Sequence, residues 1–298
     1  MRSNGQIAAV LIVAACAAVG CSKPFDAAET KTEQRPPAKP VAVPNAVDAT
    51  GEEGTEGDVP GQSVGPVSFA DGKTAYQAKN YSAAARLFED YTERRPNNAW
   101  GHFMLGLSAS KAGDVAKAES AFEEALRIDP NHVKSLVNLS RVLIDQRRFD
   151  EALVRLEHAG EIDSASVDVQ RLLGRVYAEQ HKTDEAVDAY RRAIALDEHD
   201  AWSMNNLGLL FLEQGDAEEA LPLLCRAVQL RKDVAAFHNN LGMALEHTGR
   251  FLAAAEEYRG ALTADAGYGK AKQNLARVEA VKVGHEEPFD LEATALAR

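Results

Sequence analysis

Apolar and small residues recur with a period of 34 residues over about residues 67 to 282, and the copies stay in phase without an insertion. Within one copy, Leu207 and Phe211 have the spacing of one helical face, and Ala220 and Leu224 have that of a second. The pattern therefore predicts pairs of amphipathic helices. Its two clearest columns are Leu105, Leu139, Leu173, Leu207, Leu241 and Leu275, and Ala84, Ala118, Ala152, Ala186, Ala220 and Ala254.

Turn signals such as AGD, QGD and TGR separate the two predicted helices of a copy. Asp114 and Asp216 are expected to cap the second helices of their copies, and Asp216 with Glu219 has the spacing of a capping box. Pro222 falls inside a predicted second helix, where it removes a backbone hydrogen bond, so we expect a kink there.

The helix-turn-helix period, the Leu-Gly pairs and the Ala and Phe/Tyr columns resemble those of the tetratricopeptide repeat family. The resemblance implies an all-α fold, an α-solenoid in which six helix-turn-helix repeats form a right-handed superhelix and a C-terminal helix caps the stack. The first repeat departs from the pattern, with Asp71 in place of Leu and Tyr91 in place of Ala, as in a frayed terminal repeat. The expected repeats are about 67–98, 99–132, 133–166, 167–200, 201–234 and 235–266, followed by a capping helix at 267–282 and a loose tail at 283–298.

Residues 1–21 have the layout of a signal peptide, with a positive charge at Arg2, an apolar run that ends at Val19, and a small residue before a cysteine. The run is shorter than the roughly 20 apolar residues that a membrane-spanning helix needs. VAAC and AVGC both resemble the lipobox of bacterial lipoproteins. We expect lipidation at Cys21, because the chain becomes polar only after it, and Cys16 is the fallback.

Residues 22–66 contain seven of the eleven prolines and show no apolar periodicity, so they are predicted to form a disordered tether. In the lipoprotein family, a residue such as Ser22 after the cysteine implies sorting to the outer membrane. The expected location is therefore the outer membrane of a two-membrane bacterium, with the protein facing the periplasm on a lipid anchor. Cys225 would remain as the sole thiol, and we interpret it as a small core residue.

The charge and the motifs argue against several classes of function. A net charge of −12, from 45 acidic and 33 basic residues, argues against nucleic acid as a partner, because nucleic-acid binding relies on Lys and Arg. The eight histidines are scattered, and no HExxH, phosphate loop or GxSxG motif occurs. We therefore expect no catalytic residues, no metal and no cofactor, and the protein is predicted not to be an enzyme.

In the tetratricopeptide repeat family the first helix of each repeat lines a concave face that binds peptide or helical segments. The expected groove combines an apolar end, a basic centre and a series of amides. Its residues are Trp100, Phe103, Met104, Leu107, Lys134, Asn138, Arg141, Arg171, Arg175, Trp202, Asn205, Asn206, Asn239, Asn240 and Asn274. The amides are expected either to pair with a ligand backbone or to bond water, and the tryptophans either to anchor a ligand or to fill gaps between repeats.

The sequence thus predicts a non-catalytic, lipid-anchored adaptor that binds a segment of another protein. It is similar to the repeat-bearing lipoproteins that help pili or secretins assemble, which implies a role in building a cell-envelope complex such as a pilus or secretion system. One alternative is an adaptor that recruits or regulates peptidoglycan hydrolases. Another is a part of an enzyme system whose catalysis another chain supplies. The oligomeric state stays open.

Overall fold

The structure, a computed structural model, describes residues 67–281, 286 and 288–296. The predicted signal peptide, its lipidation at Cys21 or Cys16, and the tether at 22–66 lie outside the described residues. Within the described ranges all regular structure is helical, and no helix there is both long and apolar enough to cross a bilayer. The helices are α1 (Phe69–Gln77), α2 (Tyr81–Arg94), α3 (Ala99–Ala112), α4 (Val115–Ile128), α5 (Val133–Asp145), α6 (Phe149–Ile162), α7 (Val167–Glu179), α8 (Thr183–Leu196), α9 (Ala201–Gln214), α10 (Ala217–Leu230), α11 (Ala235–His247), α12 (Phe251–Ala264), α13 (Gly269–Glu279) and α14 (Leu291–Leu296).

Helices α1 to α12 form six consecutive helix-turn-helix repeats, and α13 packs on the last of them. This confirms the predicted α-solenoid. First helices of neighbouring repeats approach one another along the whole stack, from α1 and α3 to α11 and α13, whereas neighbouring second helices do not do so in the described part of the chain. Because the first helices are more closely spaced, the stack bends towards them. We call the surface of the first helices the inner face and that of the second helices the outer face.

Glycine in the column after Leu sets the distance between the two helices of a repeat. A Cβ atom on Gly174 would lie 2.6 Å from Cδ1 of Tyr190, and one on Gly242 would lie 2.6 Å from Cε1 of Tyr258. Both tyrosines are buried on the second helix of the same repeat. The ring fills the volume that a side chain on the first helix would take, so the two columns are complementary.

The first repeat compensates for both of its departures from the pattern. Tyr91 is accommodated because it faces Gly101 of α3, where a Cβ atom would lie 2.9 Å from its ring. Asp71 forms a capping box with Ser68: its carboxylate accepts the Ser68 backbone N–H at 2.9 Å, and its own N–H donates to the Ser68 hydroxyl. Helix α1 thus begins at a well-formed cap, although Gly72 is its only buried residue.

Of the two predicted helix caps, one is confirmed and one is wrong. Asp114 caps α4 as expected, accepting the N–H of Lys117 at 3.1 Å. Asp216 lies at the N-cap of α10, but its side chain makes no capping hydrogen bond, because the N–H of Glu219 instead donates to the Asp216 backbone carbonyl at 3.1 Å. The predicted capping box is therefore wrong. Helix α10 continues through Pro222 and ends at Leu230.

The prediction of a loose tail is wrong for residues 286 and 288–296. The Glu286 carboxylate accepts backbone N–H groups at the start of α12, Phe289 packs against the hydrophobic core, and α14 packs against α10. The sequence did not indicate this packing, since the segment is too short to show a helical period.

We expect the tight glycine contact to be essential for stability. Gly174→Ala should lower the free energy of unfolding by about 1–3 kcal/mol, because the new methyl group overlaps the Tyr190 ring. Gly160→Ala is the matched control: its Cβ atom would meet Val169 at an ordinary 3.6 Å, and the change should raise stability by up to about 1 kcal/mol. Urea unfolding followed by circular dichroism measures both, and equal effects would contradict the packing argument.

Candidate functional site on the inner face

The N-terminal end of the inner face presents one half-buried aromatic residue, Trp100. Lys134 places its ammonium 5.0 Å from the centroid of the Trp100 ring, at a cation–π distance. The other predicted apolar contacts, Phe103, Met104 and Leu107, are only 2%, 4% and 3% exposed and belong to the hydrophobic core. Their assignment to the groove is wrong, because their side chains are buried in this core, where Phe103 packs against Phe122 of α4.

The three predicted arginines at the centre are paired with carboxylates of neighbouring repeats. Arg141 of α5 pairs with Asp168 of α7 at 3.1 Å, and Arg171 contacts the same carboxylate. Arg171 also donates to Asp200, the N-cap residue of α9, at 2.8 Å. The Arg141–Asp168 and Arg171–Asp200 pairs link neighbouring repeats, whereas Arg171 and Asp168 both belong to α7. The arginines therefore hold the repeats together as well as lining the inner face.

Arg175 of α7 completes the set, reaching back to Asp145 of α5 at 2.9 Å. Asp145, Asp168 and Asp200, which were not among the residues predicted from the sequence, neutralise much of the predicted basic centre. Each aspartate lies 27 to 30 residues from its arginine along the chain, just under one repeat. This spacing was the sequence signal from which the pairs could have been predicted.

Lys111 of α3 is a further basic group that the sequence analysis missed. It is half-buried and has no acidic partner among the described residues. Burial lowers the pKa of the Lys111 ammonium, and the charge of Arg141 lowers it further. Burial also lowers the pKa of the Arg141 guanidinium, an effect that Asp168 partly offsets. The region between Lys111 and Arg141 thus has an excess of positive charge.

The C-terminal half of the inner face carries a continuous series of amide hydrogen bonds. Asn274 Nδ2 donates to Asn239 Oδ1 at 3.0 Å, and Asn239 Nδ2 donates to Asn240 Oδ1 at 3.4 Å. Asn240 Nδ2 then donates to Asn205 Oδ1 at 2.8 Å, and Asn205 Nδ2 donates to Asn206 Oδ1 at 3.3 Å. The series joins the first helices α9, α11 and α13.

The amides were expected to bond a ligand or water, and burial contradicts this for Asn138 and Asn240 of the predicted column. For the partly exposed Asn206 and Asn274 it stays a prediction. Asn205, Asn239 and Asn240 are 4%, 2% and 8% exposed, and their polar groups are used within the series. Asn138 is likewise buried and donates to the backbone carbonyl of Lys134 at 2.8 Å. Buried amides need partners, and in this chain the partners come from the neighbouring repeat or the same helix.

Part of the predicted groove remains accessible. Trp202 is half-buried, although its ring packs at 4.8 Å, centroid to centroid, on Phe237 of the next repeat. This contact agrees with the gap-filling interpretation of Trp202, and its role as a ligand anchor stays a prediction. The predicted groove residues that keep partial exposure are Trp100, Lys134, Arg171, Arg175, Trp202, Asn206 and Asn274.

The described residues contain neither a clustered metal site nor an exposed thiol. No group of three or more His, Cys, Asp or Glu side chains with the geometry of a metal site occurs among them. Cys225 lies fully buried in α10, and burial raises the pKa of its thiol to about 12. It is therefore a core residue, and its thiolate, the form that acts as a nucleophile, is strongly disfavoured.

The ion pairs between repeats should differ in strength according to burial. Arg171→Ala leaves Asp200, whose side chain is 2% exposed, without its ionic partner, and should lower the free energy of unfolding by about 3–5 kcal/mol. Arg175→Ala removes a pair with a half-exposed Asp145 and should cost less than about 1 kcal/mol. Chemical denaturation measures both. A similar loss in the two variants would show that the Arg171 pair is not a buried link.

Two family models match this sequence. A model described as a tetratricopeptide repeat-like domain matches residues 2–207, and a tetratricopeptide repeat model matches residues 205–269. Tetratricopeptide repeat protein 37 of Xenopus laevis is 32% identical over 114 residues, which cover 34% of this chain. The match spans 7% of that relative's length.

Solved structures show the same fold. The Cut9–Hcn1 hetero-tetramer of the APC/C matches with a TM-score of 0.64 at 18% identity, covering 70% of this chain and 42% of the other. The pilF protein of Pseudomonas aeruginosa matches with a TM-score of 0.61 at 18% identity, covering 70% of this chain and 95% of the other. A thermophilic repeat protein of Thermus thermophilus has a TM-score of 0.53 at 19% identity, covering 62% and 100%. At these identities the likeness concerns the fold alone.

On the strength of the family models, this chain belongs to the tetratricopeptide repeat family, whose members are in general protein-interaction scaffolds.

Proposed function

We propose that this protein is a non-catalytic, lipid-anchored adaptor that holds a segment of another protein on its inner face and helps to assemble a cell-envelope complex such as a pilus or secretion system. The observation that carries the binding role is the group of partly exposed, incompletely paired side chains at the N-terminal half of that face. Trp100 with Lys134 offers an apolar anchor beside a cation, and Lys111 near Arg141 offers a cation without an acidic partner.

These groups favour a partner segment that carries an apolar side chain and a carboxylate. An apolar side chain would lie against the Trp100 ring, and aromatic residues of this kind often supply much of the energy of an interface. A carboxylate near Lys111 would relieve the repulsion between Lys111 and Arg141, so its charge gives specificity as well as attraction. The buried amide series would contribute by keeping the repeats in fixed positions, which pre-organises the surface.

The proposed location rests on the sequence alone. The lipobox ending at Cys21, the serine that follows it and the proline-rich residues 22–66 support a lipoprotein on a long tether. Several acyl chains on one cysteine would anchor the protein stably, whereas one chain gives only marginal binding. The fold likeness to pilF fits a protein of this architecture.

Site-specific cross-linking in cells tests the binding role. A photoreactive residue at Lys134 on the inner face should cross-link a pilin or secretin subunit, and the same residue at Leu196, exposed on the outer helix α8, is the control. Lys111→Glu should reduce the Lys134 cross-link about tenfold or more, by reversing the charge that attracts the carboxylate. A hydrolase at Lys134 would support the alternative adaptor role. Identical products at both positions would contradict binding on the inner face.

Metabolic labelling with palmitate tests the anchor. The wild-type protein should be labelled, and Cys21→Ala should lose the label while Cys16→Ala keeps it, because only the lipidated cysteine accepts the diacylglyceryl group. Labelling that persists in Cys21→Ala and disappears in Cys16→Ala would move the anchor to Cys16. An unlabelled wild-type protein would remove the lipid anchor from the proposal.

A further inference from the structure

The C-terminal segment, defined here as residues 286 and 288–296, is bound to the solenoid by its first acidic residue. The two carboxylate oxygens of Glu286 accept the backbone N–H groups of Leu252 and Ala253 at 2.9 and 3.2 Å. These are the second and third residues of α12, whose N-cap residue, Arg250, makes no side-chain capping bond. Glu286 therefore supplies from a distance the cap that Asp114 supplies locally for α4.

The rest of the segment packs across the outer face towards α10. The guanidinium of Arg250 lies 6.0 Å from the centroid of the Phe289 ring, and Phe289, Leu291 and Ala295 pack against the hydrophobic core. Among the described helices, α14 approaches only α10. We call the first turn of α12 together with the C-terminal half of α10 the tail seat.

The segment is held by few interactions. Helix α14 has six residues and no buried residue, and its Leu296 is 74% exposed. Helices this short are not stable in water, because the first turn costs more conformational entropy than its hydrogen bonds return. The tail seat therefore induces the helix, and release of the segment is a local opening that leaves the solenoid folded.

A cavity borders the described part of the segment beside the tail seat. This cavity, of about 520 Å³, lies beside α14, bounded by Val228 and Lys232 from the end of α10 and its loop, by Leu296, and by the pair His238 and Glu257. His238 Nδ1 faces Glu257 Oε2 at 2.7 Å, and its Nε2 faces the Lys232 carbonyl at 3.1 Å. The cavity thus has apolar walls and a polar end, and it has room for larger side chains than the segment supplies.

We propose that the tail seat is a second docking surface, occupied in this structure by the chain's own C-terminal segment, and that it takes a helical segment of a partner protein with the same order of groups. That order is a carboxylate, an aromatic ring three residues later, and apolar residues on one face of a short helix. The carboxylate recognises the N–H groups of Leu252 and Ala253 at the start of α12, and the ring recognises the guanidinium of Arg250. This docking surface is independent of the inner face.

The chain's own segment regulates access to this surface. A segment joined by a short connection has an effective concentration on the order of millimolar, so it competes with any partner in solution. A partner helix that also fills the cavity beside α14 gains contacts that the segment lacks. Such a partner displaces the segment, while weaker ligands are excluded.

A binding experiment with the full-length chain tests the proposal. The variant Phe289→Ala with Leu291→Ser weakens the hold of its own segment and leaves every residue of the seat in place. A fluorescent peptide of residues 284–298 should bind this variant about tenfold more tightly than it binds the wild type, as measured by fluorescence anisotropy. A peptide that binds neither protein, or both equally, would overturn the proposal.

Two further peptides test the chemistry of recognition. The peptide with Glu286→Gln should bind the variant at least about fivefold more weakly, because a neutral amide is a poorer acceptor for the N–H groups of α12. The peptide with Glu292→Gln is the matched control, since it loses the same charge from an exposed side chain, and it should bind unchanged. Equal weakening in both would mean that the effect is general electrostatics and that no carboxylate site exists.

Hydrogen exchange of the wild-type protein tests reversibility independently. The Leu252 and Ala253 amides should exchange at least about 100-fold faster than amides in the middle of α12, and Glu286→Gln should accelerate them further. If they exchange only when the whole solenoid unfolds, the segment is a permanent part of the fold and the proposal fails. It also fails if light scattering shows a dimer that the Phe289→Ala, Leu291→Ser variant converts to a monomer, because the tail would then be exchanged between copies.

Discussion

The contact on which the rest of the structure depends is that between a small residue on the first helix of a repeat and a large one on the second. Gly174 under Tyr190 and Gly242 under Tyr258 bring the two backbones closer than any side chain on the first helix would allow. A helix pair of this kind leaves an apolar face that it cannot cover alone, so each repeat has to pack on the next. Thus the contact inside a repeat leads to the continuous stack.

Because the first helices lie close together, their buried polar side chains need hydrogen-bond partners within the protein. Side chains on the inner face lie near those of the next repeat, and a buried donor or acceptor without a partner is destabilising. The carboxylates opposite Arg141, Arg171 and Arg175 and the amide series from Asn274 to Asn206 satisfy most of these groups. The Nε atoms of Arg141 and Arg171 are buried without a hydrogen-bond partner. Polarity on this face is therefore mainly a device for joining repeats, and the groups that this pairing does not use, among them Lys111 and Trp100, stay partly exposed.

The difference between what the sequence could and could not predict follows from the same geometry. The period, the Leu and Ala columns and the turn signals depend on local helix pairing, so the fold and the positions of the helices were readable from the sequence. The partners of Arg171 or Asn240 depend on side-chain directions across two repeats, and a column of residue types does not contain that information. The same holds for Glu286, which caps a helix 34 residues away. Phe103 and Leu107 were misplaced because a column shows which side of a helix a residue occupies but not how closely the next helix covers it.

The two ends of the stack solve the problem of an uncovered surface in different ways. At the N-terminal end, Ser68 and Asp71 close α1 with groups from the same helix turn, and Phe69 packs its ring on Phe88. Nothing in that arrangement can leave without unfolding the helix. At the C-terminal end, α13 covers the last repeat, while the start of α12 and part of α10 are covered by a segment in which none of the described residues is completely buried. Detachment of the C-terminal segment lowers the stability of the solenoid only a little. For that reason the C-terminal end is where this solenoid can exchange one of its own contacts for a contact with another protein.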